Sequence, residues 1–251
     1  MKLENVTFSY DKSRVILDNV SFSTVQGEHI GIVGANGAGK TTMLKLMVGL
    51  LMVQGGRISV GDITVARDTL PQIRKHIGYV FQDSDSQLFM PTVVEDVMFG
   101  PRNYGYSEEE SERMAEDAMK LTGSEHLKNR QIHKLSGGEK KLTAIASVLA
   151  LKPEVIIMDE PTNSLDPGNR RRLINVLNEL KCTELIATHD LDMVWDICGR
   201  VILLSEGRVA ASGPTRDILT DKELLEANGL ELPLSAKLYK SLNCKCPEGG
   251  I

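Results

Sequence analysis

Residues 34–42 read Gly34-Ala35-Asn36-Gly37-Ala38-Gly39-Lys40-Thr41-Thr42 and lie between the apolar segment His29–Val33 and the helical run Met43–Met47. This order of strand, glycine-rich loop and helix is typical of a phosphate-binding loop. Glycines allow several backbone N–H groups to point at one phosphate, and the helix start adds its positive end. Lys40 supplies a charge for the β and γ phosphates, and Thr41 supplies a hydroxyl for Mg²⁺. The stretch predicts a chain that binds a nucleoside triphosphate.

The composition limits the classes of partner. The 251 residues are 41% hydrophobic, enough for one large core or one core with an inserted subdomain. With 29 basic and 34 acidic residues the formal net charge is −5, and only 4% of residues are aromatic, so nucleic acid is not expected as a partner. The longest apolar neighbourhood, Met43–Val53, is shorter than the roughly 18 to 20 residues that cross a bilayer. We expect a cytosolic chain without a secretion signal, whose membrane role comes through a partner.

The four cysteines do not indicate a disulfide framework in a chain of this size. Cys182 and Cys198 are typical of small core or edge residues. Cys244 and Cys246 could hold a soft metal, but two thiolates make half of a tetrahedral site and no histidine stands beside them. We favour a free tail there, with metal binding or redox coupling as the alternative.

Patterns of alternating residues predict a small antiparallel sheet before the phosphate loop. Its alternating positions are Val6, Phe8 and Tyr10, then Val20, Phe22 and Thr24. A hairpin with strands at 57–60 and 63–65 is expected next, followed by a strand at 77–81. Strands at 155–158 and 185–188 alternate with a helix at 171–180, which indicates an α/β core covered on both faces.

Helical patterns dominate from Asp83 to about Leu149, which predicts an inserted helical subdomain. The apolar positions expected on one side of the helix at 108–121 are Met114, Ala118 and Leu121. Those of the helix at 139–149 are Leu142, Ile145 and Leu149.

Asp159 and Glu160 end the buried strand 155–158, at the edge where open α/β sheets bind their ligands. We expect Asp159 to help hold Mg²⁺ and Glu160 to polarise the attacking water, since phosphoryl transfer asks for positioning and charge stabilisation. A solvated acidic pair is the alternative, and the phosphate loop upstream makes it the weaker one.

Gln82 and His189 each follow the carboxyl end of a predicted strand. Gln82 is suited to bridge Mg²⁺ and the water, and His189 is suited to form a hydrogen bond with the γ-phosphate. Either residue alone is more often a surface or structural polar group, but their shared position favours a functional role.

Residues 135–139 read Leu135-Ser136-Gly137-Gly138-Glu139 and predict a helix capped by Ser136, with two glycines leaving its amino end bare. A bare helix start attracts phosphate. A second anion-binding element is redundant in a monomer, yet it is useful when two copies meet head to tail with nucleotide between them. Taken alone, the pentapeptide favours an ordinary capped helix.

Together these motifs resemble the ATPase subunit of an ABC transporter. The resemblance covers residues 1 to about 215 and rests on the phosphate loop, Gln82, residues 135–139, Asp159-Glu160-Pro161-Thr162, Asn163-Ser164-Leu165-Asp166 and His189. It implies an α/β P-loop NTPase core at 1–220, with a small antiparallel β subdomain and a helical subdomain inserted at about 83–150. It also implies ATP and Mg²⁺ in a sandwich dimer. In that dimer Tyr10 stacks on adenine, Ser136, Gly137 and Gly138 contact the partner's γ-phosphate, and Asp166 communicates between the two ATP sites.

A narrower resemblance, to the energy-coupling-factor ATPases with their cobalt and nickel import branch, lies at Phe81–Phe89 and continues to Asn103. In that family this segment helps to form the groove that receives coupling helices of a transmembrane protein. The portion Asp221–Leu242, within a C-terminal extension at 221–251, is similar to the family's dimer-stabilising extension. On pattern alone it is equally a simple amphipathic tail.

The function predicted from these features is ATP hydrolysis that energises an energy-coupling-factor-type importer for cobalt, nickel or a vitamin. The resemblance implies a peripheral position on the cytoplasmic face of the cell membrane, with a transmembrane coupling subunit and a substrate-binding membrane subunit. A homodimer and a heterodimer with a paralogous ATPase both stay open. The alternatives are a soluble ABC ATPase without a transporter and a nucleotide sensor that does not hydrolyse, which Glu160 and His189 disfavour. The chain departs from the family pattern at Glu139, where Gln is commoner, and at Leu142, where a basic residue is frequent.

Overall fold

The computed structural model describes residues 1–11, 14–163 and 165–243. Cys244 and Cys246, the predicted free tail, lie outside the described residues. The chain divides into two compact units. Unit 1 holds Met1–Val65 and the chain from Leu185 onward, and unit 2 holds Ala66–Glu184.

The strands, in chain order, are β1 (Lys2–Ser9), β2 (Val15–Ser23), β3 (His29–Val33), β4 (Gly55–Val60), β5 (Ile63–Thr64), β6 (Ile77–Val80), β7 (Val155–Asp159), β8 (Thr183–Ala187), β9 (Arg200–Ser205) and β10 (Arg208–Pro214). The α-helices are α1 (Lys40–Met47), α2 (Leu70–His76), α3 (Val93–Asn103), α4 (Glu108–Thr122), α5 (Gly137–Leu149), α6 (Pro167–Glu179), α7 (Leu191–Ile197), α8 (Thr215–Thr220), α9 (Lys222–Ala227) and α10 (Leu234–Asn243). Short 3₁₀ turns lie at Ser84–Ser86, Glu125–Leu127 and Ile132–Lys134. None of the helices in the described ranges is long and apolar enough to span a membrane.

Unit 1 contains the predicted antiparallel sheet, with strands in the order β2, β1, β4, β5. The pairing of β1 with β2 shifts register between Leu3 and Val6, and Asn5 has a positive φ of 50°. Such a bulge adds one residue to the strand. As a result Leu3, Val6 and Phe8 all lie on the buried face, although Leu3 and Val6 are three positions apart.

The other strands of unit 1 form both parallel and antiparallel pairs. β3 runs parallel to β9, with Val33 opposite Leu203, and both residues are fully buried. β9 and β10 form an antiparallel hairpin, closed by Glu206 and Gly207, which have φ angles of 46° and 77°. Positive φ at both central residues gives the turn a twist that matches the strands. Buried apolar residues in β3 and β9 agree with the predicted α/β core.

The C-terminal extension packs on α7 in unit 1. Asp192 accepts hydrogen bonds from the backbone N–H groups of Leu234 (3.3 Å) and Ser235 (2.8 Å), at the start of α10. The Trp195 ring contacts Tyr239 edge to face, with 5.6 Å between centroids, and the Arg216 guanidinium lies 3.6 Å from its centroid. The sequence pattern did not predict this docking, because it depends on contacts with a helix about forty residues away.

In unit 2, β6 and β7 are parallel neighbours, with Val80 opposite Met158. Every residue of β7 is buried, as predicted for a strand covered on both faces. The helices α3, α4 and α5 pack against one another and form the predicted helical part. Leu142, Ile145 and Leu149 of α5 are buried, as the pattern predicted.

The predicted apolar side of α4 was wrong in part. Ala118 is buried, but Leu121 is 50% exposed and Met114 is only half-buried. The buried stripe instead runs through Ala115, Ala118 and Met119, because small residues at helical spacing allow α4 to approach its neighbours. The helix predicted at 171–180 begins earlier, at Pro167, which is a preferred first helical residue after a cap.

The buried side chain of Glu184 makes the stability of the fold depend on pH. It is fully buried in β8, and burial raises the pKa of its carboxyl well above the ordinary value. Since the neutral form is favoured in the folded state, the free energy of unfolding falls as pH rises above the ordinary pKa of a glutamate. Glu184→Gln removes this cost, so its stability gain in urea denaturation is expected to be larger at about pH 8 than at about pH 5.

The exposed Glu179 at the end of α6 serves as the control. Glu179→Gln is expected to change stability by less than about 0.5 kcal/mol at either pH. A Glu184→Gln stability difference that does not depend on pH would contradict the assignment of a raised pKa to Glu184.

Candidate functional site

The phosphate loop of unit 1 joins the buried end of β3 to the first residue of α1. Gly34 has a φ of 155°, and a Cβ at this position would lie 2.2 Å from the carbonyl oxygen of Leu204. Only glycine therefore lets the loop pass so close to β9. At Gly37, with a φ of 81°, a Cβ would meet no atom of the described chain within 4 Å. The outer side of the loop is thus open to a ligand.

Lys40 lies inside the curve of this loop. Its side chain is 8% exposed, and its Nζ donates hydrogen bonds to the carbonyls of Gly34 (2.7 Å) and Ala35 (3.2 Å). The ammonium group is held at the start of α1, where backbone N–H groups and the helix dipole also attract an anion. Three positive features therefore meet at one point of the chain.

The tip of the β9–β10 hairpin braces the loop from behind. The N–H of Gly207 donates to the carbonyl of Ala38 (3.2 Å), and the carbonyl of Gly207 accepts from the N–H of Asp18 (2.9 Å). Ala38 is buried, whereas Asn36 is exposed. The back of the loop is fixed while its front faces solvent.

Tyr10 also belongs to this part of unit 1. Its hydroxyl shares a 3.2 Å hydrogen bond with Oγ1 of Thr42, the third residue of α1, and its ring contacts Phe8 edge to face. The side chain of Tyr10 is 60% exposed. An exposed aromatic face next to a phosphate-binding helix can stack on a nucleotide base. Thr41, beside Thr42, is half-buried.

His189 follows β8 and is exposed. The residues on either side of it are fixed: the N–H of Thr188 donates to the carbonyl of Ile32 in β3 (3.2 Å), and Asp190 caps α7 through the N–H of Met193 (2.9 Å). The histidine therefore sits at the end of a strand that lies beside the strand leading into the phosphate loop. Tyr10, residues 34–42 and His189 all belong to unit 1.

Asp159 is the last residue of β7 in unit 2 and Glu160 follows it, with 2% and 8% of their surfaces exposed. Glu160 has a φ of 46°, and its carbonyl accepts a hydrogen bond from the N–H of Asn163 (3.1 Å), so the chain turns sharply here. A glutamate in the left-handed region carries strain of about 1 kcal/mol or more, and such residues cluster at functional sites. Burial, aided by the charge of Asp159, raises the pKa of Tyr79 in the neighbouring strand.

Residues 135–139 form the predicted capped start of α5. The Ser136 hydroxyl accepts from the N–H of Glu139 (3.3 Å), and the Glu139 carboxylate accepts from the N–H of Ser136 (2.7 Å). Arg130 donates to the same carboxylate at 2.6 Å. The Ser136 N–H bond is the main reason that the pKa of Glu139 is lowered. This capping box uses the glutamate that departs from the family pattern, and Arg130 pairs with its charge.

Ser136 and Gly137 are exposed, and Gly138 is buried. At Gly137 a Cβ would meet no atom of the described chain within 4 Å, whereas at Gly138 it would lie 2.5 Å from Nδ2 of Asn169. The first N–H groups of a helix have no acceptor within that helix. The start of α5 therefore presents donors on an open surface.

Asp166 caps α6 in unit 2. Its carboxylate accepts from the N–H groups of Gly168 (2.9 Å) and Asn169 (3.0 Å) and from the Asn169 side chain (2.6 Å). The backbone hydrogen bond from Asn169 is the largest reason that the pKa of Asp166 is lowered. Because Asn169 also packs against Gly138, Asp166 is connected to the start of α5 through one side chain.

Gln82 is the second residue after β6, and its side chain is exposed. It lines a cavity of about 370 Å³ in unit 2 together with Asp83, Ser84, Asp85, Gly137, Lys140, Lys141 and Asn163. The structure thus brings Gln82 and Gly137, two residues that the sequence singled out separately, to one cavity.

Lys141 is the residue of this cavity that sequence reasoning missed. It is 3% exposed, and its Nζ donates to the carbonyls of Phe81 (3.0 Å) and Gln82 (2.7 Å). Burial lowers the pKa of Lys141 to about 8, while the charges of Asp83 and Asp159 act in the opposite direction. The spacing of residues in the helix could have indicated its burial, since Lys141 lies four residues before the buried Ile145 on the same face of α5.

Comparison with known sequences agrees with this geometry. A family model described as ABC transporter matches residues 17–163. The chain belongs to the ABC transporter family. A putative ABC transporter ATP-binding protein of Geobacter sulfurreducens, GSU1281, is 47% identical over 235 residues, covering 94% of each chain. The energy-coupling factor transporter ATP-binding protein EcfA of Carboxydothermus hydrogenoformans is 40% identical over 248 residues, covering 98% of this chain and 92% of the relative.

Solved structures share the fold. CbiO1 from Clostridium perfringens, described as part of the ABC transporter complex cbiONQ, aligns with a TM-score of 0.81 at 37% identity, covering 95% of this chain and 98% of that one. The ATP-binding cassette MJ0796, in a dimeric post-hydrolysis state with ADP and Pi, aligns with a TM-score of 0.76 at 30% identity, covering 85% of this chain and 98% of that one. The predicted P-loop fold is confirmed. This ABC protein is an ATPase of the energy-coupling-factor type.

Proposed function

We propose that this ABC ATPase energises an energy-coupling-factor-type importer whose cargo is a cobalt ion, a nickel ion or a vitamin. The observation that carries the proposal is the presence in one chain of two open helix starts that present hydrogen-bond donors. One is the loop around Lys40 in unit 1, and the other is the open start of α5 at Gly137 in unit 2. The names of EcfA and of CbiO1, part of a transporter complex, support the transport role.

In the proposed dimer, each ATP lies between the phosphate loop of one chain and the start of α5 of its partner. The N–H groups of residues 34–39 and the ammonium of Lys40 bind the β and γ phosphates, and Thr41 and Thr42 begin the helix behind them. Tyr10 stacks on the adenine. The partner's Ser136, Gly137 and Gly138 contact the γ-phosphate. The dimeric MJ0796 cassette supports this arrangement.

Hydrolysis in this arrangement removes the phosphate that joins the two chains. Glu160 accepts a proton from the attacking water, whose oxygen forms the new bond to the γ-phosphorus as the bond to ADP breaks. His189 donates a hydrogen bond to the γ-phosphate, and Gln82 orients the water. Asp166, fixed at the start of α6, transmits the state of one ATP to the other.

The proposed Mg²⁺ ligands are Thr41, Gln82 and Asp159. They offer hydroxyl, amide and carboxylate oxygens, which are the hard donors that Mg²⁺ prefers. Within the described ranges, no group of three or more His, Cys, Asp or Glu side chains is arranged to hold a metal. A donor set with one carboxylate suits an ion that is held largely by substrate phosphates. When bound, Mg²⁺ neutralises charge on the β and γ phosphates.

Glu160→Gln tests the proposed hydrolysis. The variant keeps the size of the side chain but loses the proton acceptor, so turnover is expected to fall at least about a hundredfold. ATP affinity is expected to stay within about twofold, because the phosphate loop is unchanged. Phosphate release and equilibrium nucleotide binding measure the two quantities.

Glu154→Gln is the matched control, since Glu154 stands just before the other end of β7 and is exposed. It is expected to keep the turnover of the unsubstituted chain. Equal hydrolysis by Glu160→Gln and Glu154→Gln would remove Glu160 from its proposed role.

A pair of exposed aromatic rings marks the proposed contact with the membrane subunits. Phe89 and Phe99 are 63% and 41% exposed and meet edge to face, with 4.8 Å between centroids. The buried Asp96 carboxylate accepts the N–H groups of Phe89 and Met90, both at 2.9 Å, and so fixes the segment that carries Phe89. A rigid, exposed aromatic pair is typical of a binding surface.

We propose that this aromatic pair receives the coupling helices of a transmembrane subunit, which in turn works with a substrate-binding membrane subunit. The chain would then lie peripherally on the cytoplasmic face of the cell membrane. Closure of the ATP dimer would move α3 to α5 and so drive the membrane subunits, because the open and closed states make different contacts.

Phe89→Glu tests this contact. A charge in an apolar contact is costly, so recovery of membrane proteins in a mild-detergent pull-down is expected to fall at least about tenfold. ATP hydrolysis by the isolated chain should change less than about twofold, since Phe89 is not assigned to the nucleotide. Mass spectrometry of the unsubstituted chain's partners also indicates the cargo class.

Leu121→Glu, on the exposed side of α4, is the control for a new charge on an exposed apolar residue. It is expected to retain the membrane partners. Recovery of soluble partners alone by the unsubstituted chain would favour the soluble ABC ATPase instead.

The C-terminal extension is the proposed second contact between the two ATPase chains. Leu234, Leu238 and Leu242 lie at spacings of four along α10 and are 67%, 64% and 70% exposed. A continuous apolar stripe on a docked helix suits a partner helix of the same kind. Either an identical chain or a paralogous ATPase could supply it.

A further inference from the structure

Lys141 carries a buried charge next to Gln82 and Gly137, with which it lines one cavity of unit 2. Only 3% of the residue is exposed, although the neighbouring Lys140 reaches the surface and pairs with Asp85 at 2.6 Å. A buried ammonium group is costly unless it is hydrogen-bonded. Lys141 satisfies two of its donors with backbone carbonyls, those of Phe81 and Gln82.

These two carbonyls belong to the segment that carries the Gln82 side chain. Fixing the carbonyls on either side of the Gln82 Cα restricts the direction in which that side chain leaves the backbone. The ammonium therefore acts on Gln82 without touching its amide group. We use the term Q segment for residues 81–88.

Gln87 holds the same segment from its other end. Its amide oxygen accepts from the N–H of Phe81 (3.1 Å), and its amide nitrogen donates to the carbonyl of Ala144 (2.7 Å) and to Oγ of Ser147 (3.1 Å). Both Ala144 and Ser147 belong to α5. The Q segment is thus bound to α5 near its start by Lys141 and by the ion pair of Lys140 with Asp85, and further along by Gln87.

Lys141 lies close to both the Q segment and the start of α5. Gly137 and Lys141 are four residues apart, so they lie on the same face of α5, one turn from each other. Both line the cavity that Gln82 also lines. A displacement of the first turn of α5 therefore reaches the carbonyls next to Gln82 through one side chain.

We propose that Lys141 is a positioning residue that joins the Q segment to the start of α5, so that contact of a partner's nucleotide with Gly137 fixes the Gln82 side chain. This inference rests on the proposed function. It assigns to Lys141 a role in coupling, because the cost of burying the ammonium offsets much of what its two hydrogen bonds contribute to stability.

Hydrogen exchange of the full chain tests the inference, with Lys141→Met as the main variant. Methionine keeps the length of the stem and removes the donors. Without nucleotide, exchange of the Q segment amides is expected to rise about tenfold or more, while the melting temperature falls by no more than about 5 °C and exchange in the rest of unit 2 is unchanged. In steady-state kinetics kcat is expected to fall about tenfold to a hundredfold with little change in KM, since Gln82 is misplaced but the phosphate loop is intact.

Two further variants serve as controls. Lys120→Met replaces an exposed lysine on α4, in the same unit but away from the Q segment, and is expected to change Q segment exchange less than about twofold. Lys141→Arg keeps the charge and the donors, and the adjoining cavity has room for the larger group, so it is expected to retain slow exchange.

A second set of hydrogen-exchange measurements is made with Mg-ATP on the Glu160→Gln variant. Protection of residues 34–42 reports ATP binding, and protection of residues 137–140 reports contact at the start of α5. Adding Lys141→Met is expected to leave both of these intact and to abolish the ATP-dependent protection of the Q segment.

Unchanged Q segment exchange in Lys141→Met, with or without ATP, would overturn the inference. A lower melting temperature with faster exchange throughout unit 2 would also overturn it, since Lys141 would then be a structural residue only. Absence of protection at 34–42 in the Glu160→Gln background would contradict the proposed function, while the arm without nucleotide still decides the role of Lys141.

Discussion

The concentration of positive potential at the start of α1 is the constraint on which the rest of this structure depends. A triphosphate carries several negative charges, and in the proposed function the chain meets them with Lys40, the backbone N–H groups of the loop and the helix dipole. These groups must be held together before ATP arrives, although they repel one another. The carbonyls of Gly34 and Ala35 hold the ammonium in place, and the β9–β10 hairpin supports the loop through Ala38.

Unit 2 carries Glu160, Gln82 and the start of α5, the groups proposed to act on the bound phosphate. Glu160 stands on a strained turn at the end of a buried strand, and the open start of α5 is stabilised by a capping box that uses Glu139. The Q segment is bound to the same helix by Lys141 and Gln87. The Q segment and the open helix start thus share one helix, which suits the proposed coupled response to a partner's nucleotide.

Local motifs made most of the local structure around the candidate site predictable. The phosphate loop, the buried strand before Asp159 and the cap at Ser136 each combine a short pattern with a strong local preference, and the structure has all three where the sequence placed them. Contacts between distant segments were not predictable. The docking of α10 on Asp192 and Trp195 joins residues about forty positions apart. The burial of Leu121 was predicted wrongly because the small residues Ala115 and Ala118, and not the large apolar Leu121, face the helices that pack on α4.

The contacts of Lys141 at the candidate site were likewise not predictable from the sequence. Its spacing from Ile145 placed it on the buried face of α5, but a lysine in a charged stretch is normally solvated. Only the fold reveals two carbonyls within reach of its ammonium. A residue that positions another side chain is harder to recognise in a sequence than a residue of a phosphate-binding motif.

The central claim is that ATP joins two of these chains, with each chain contributing half of every nucleotide site. Sedimentation of the Glu160→Gln variant, alone and mixed with any paralogous ATPase that co-purifies with it, tests this most directly. The account predicts at least about tenfold tighter association with Mg-ATP than without nucleotide, and loss of that gain when Gly137→Ala is added. The same dissociation constant with and without Mg-ATP, for the chain and for its mixtures, would contradict it.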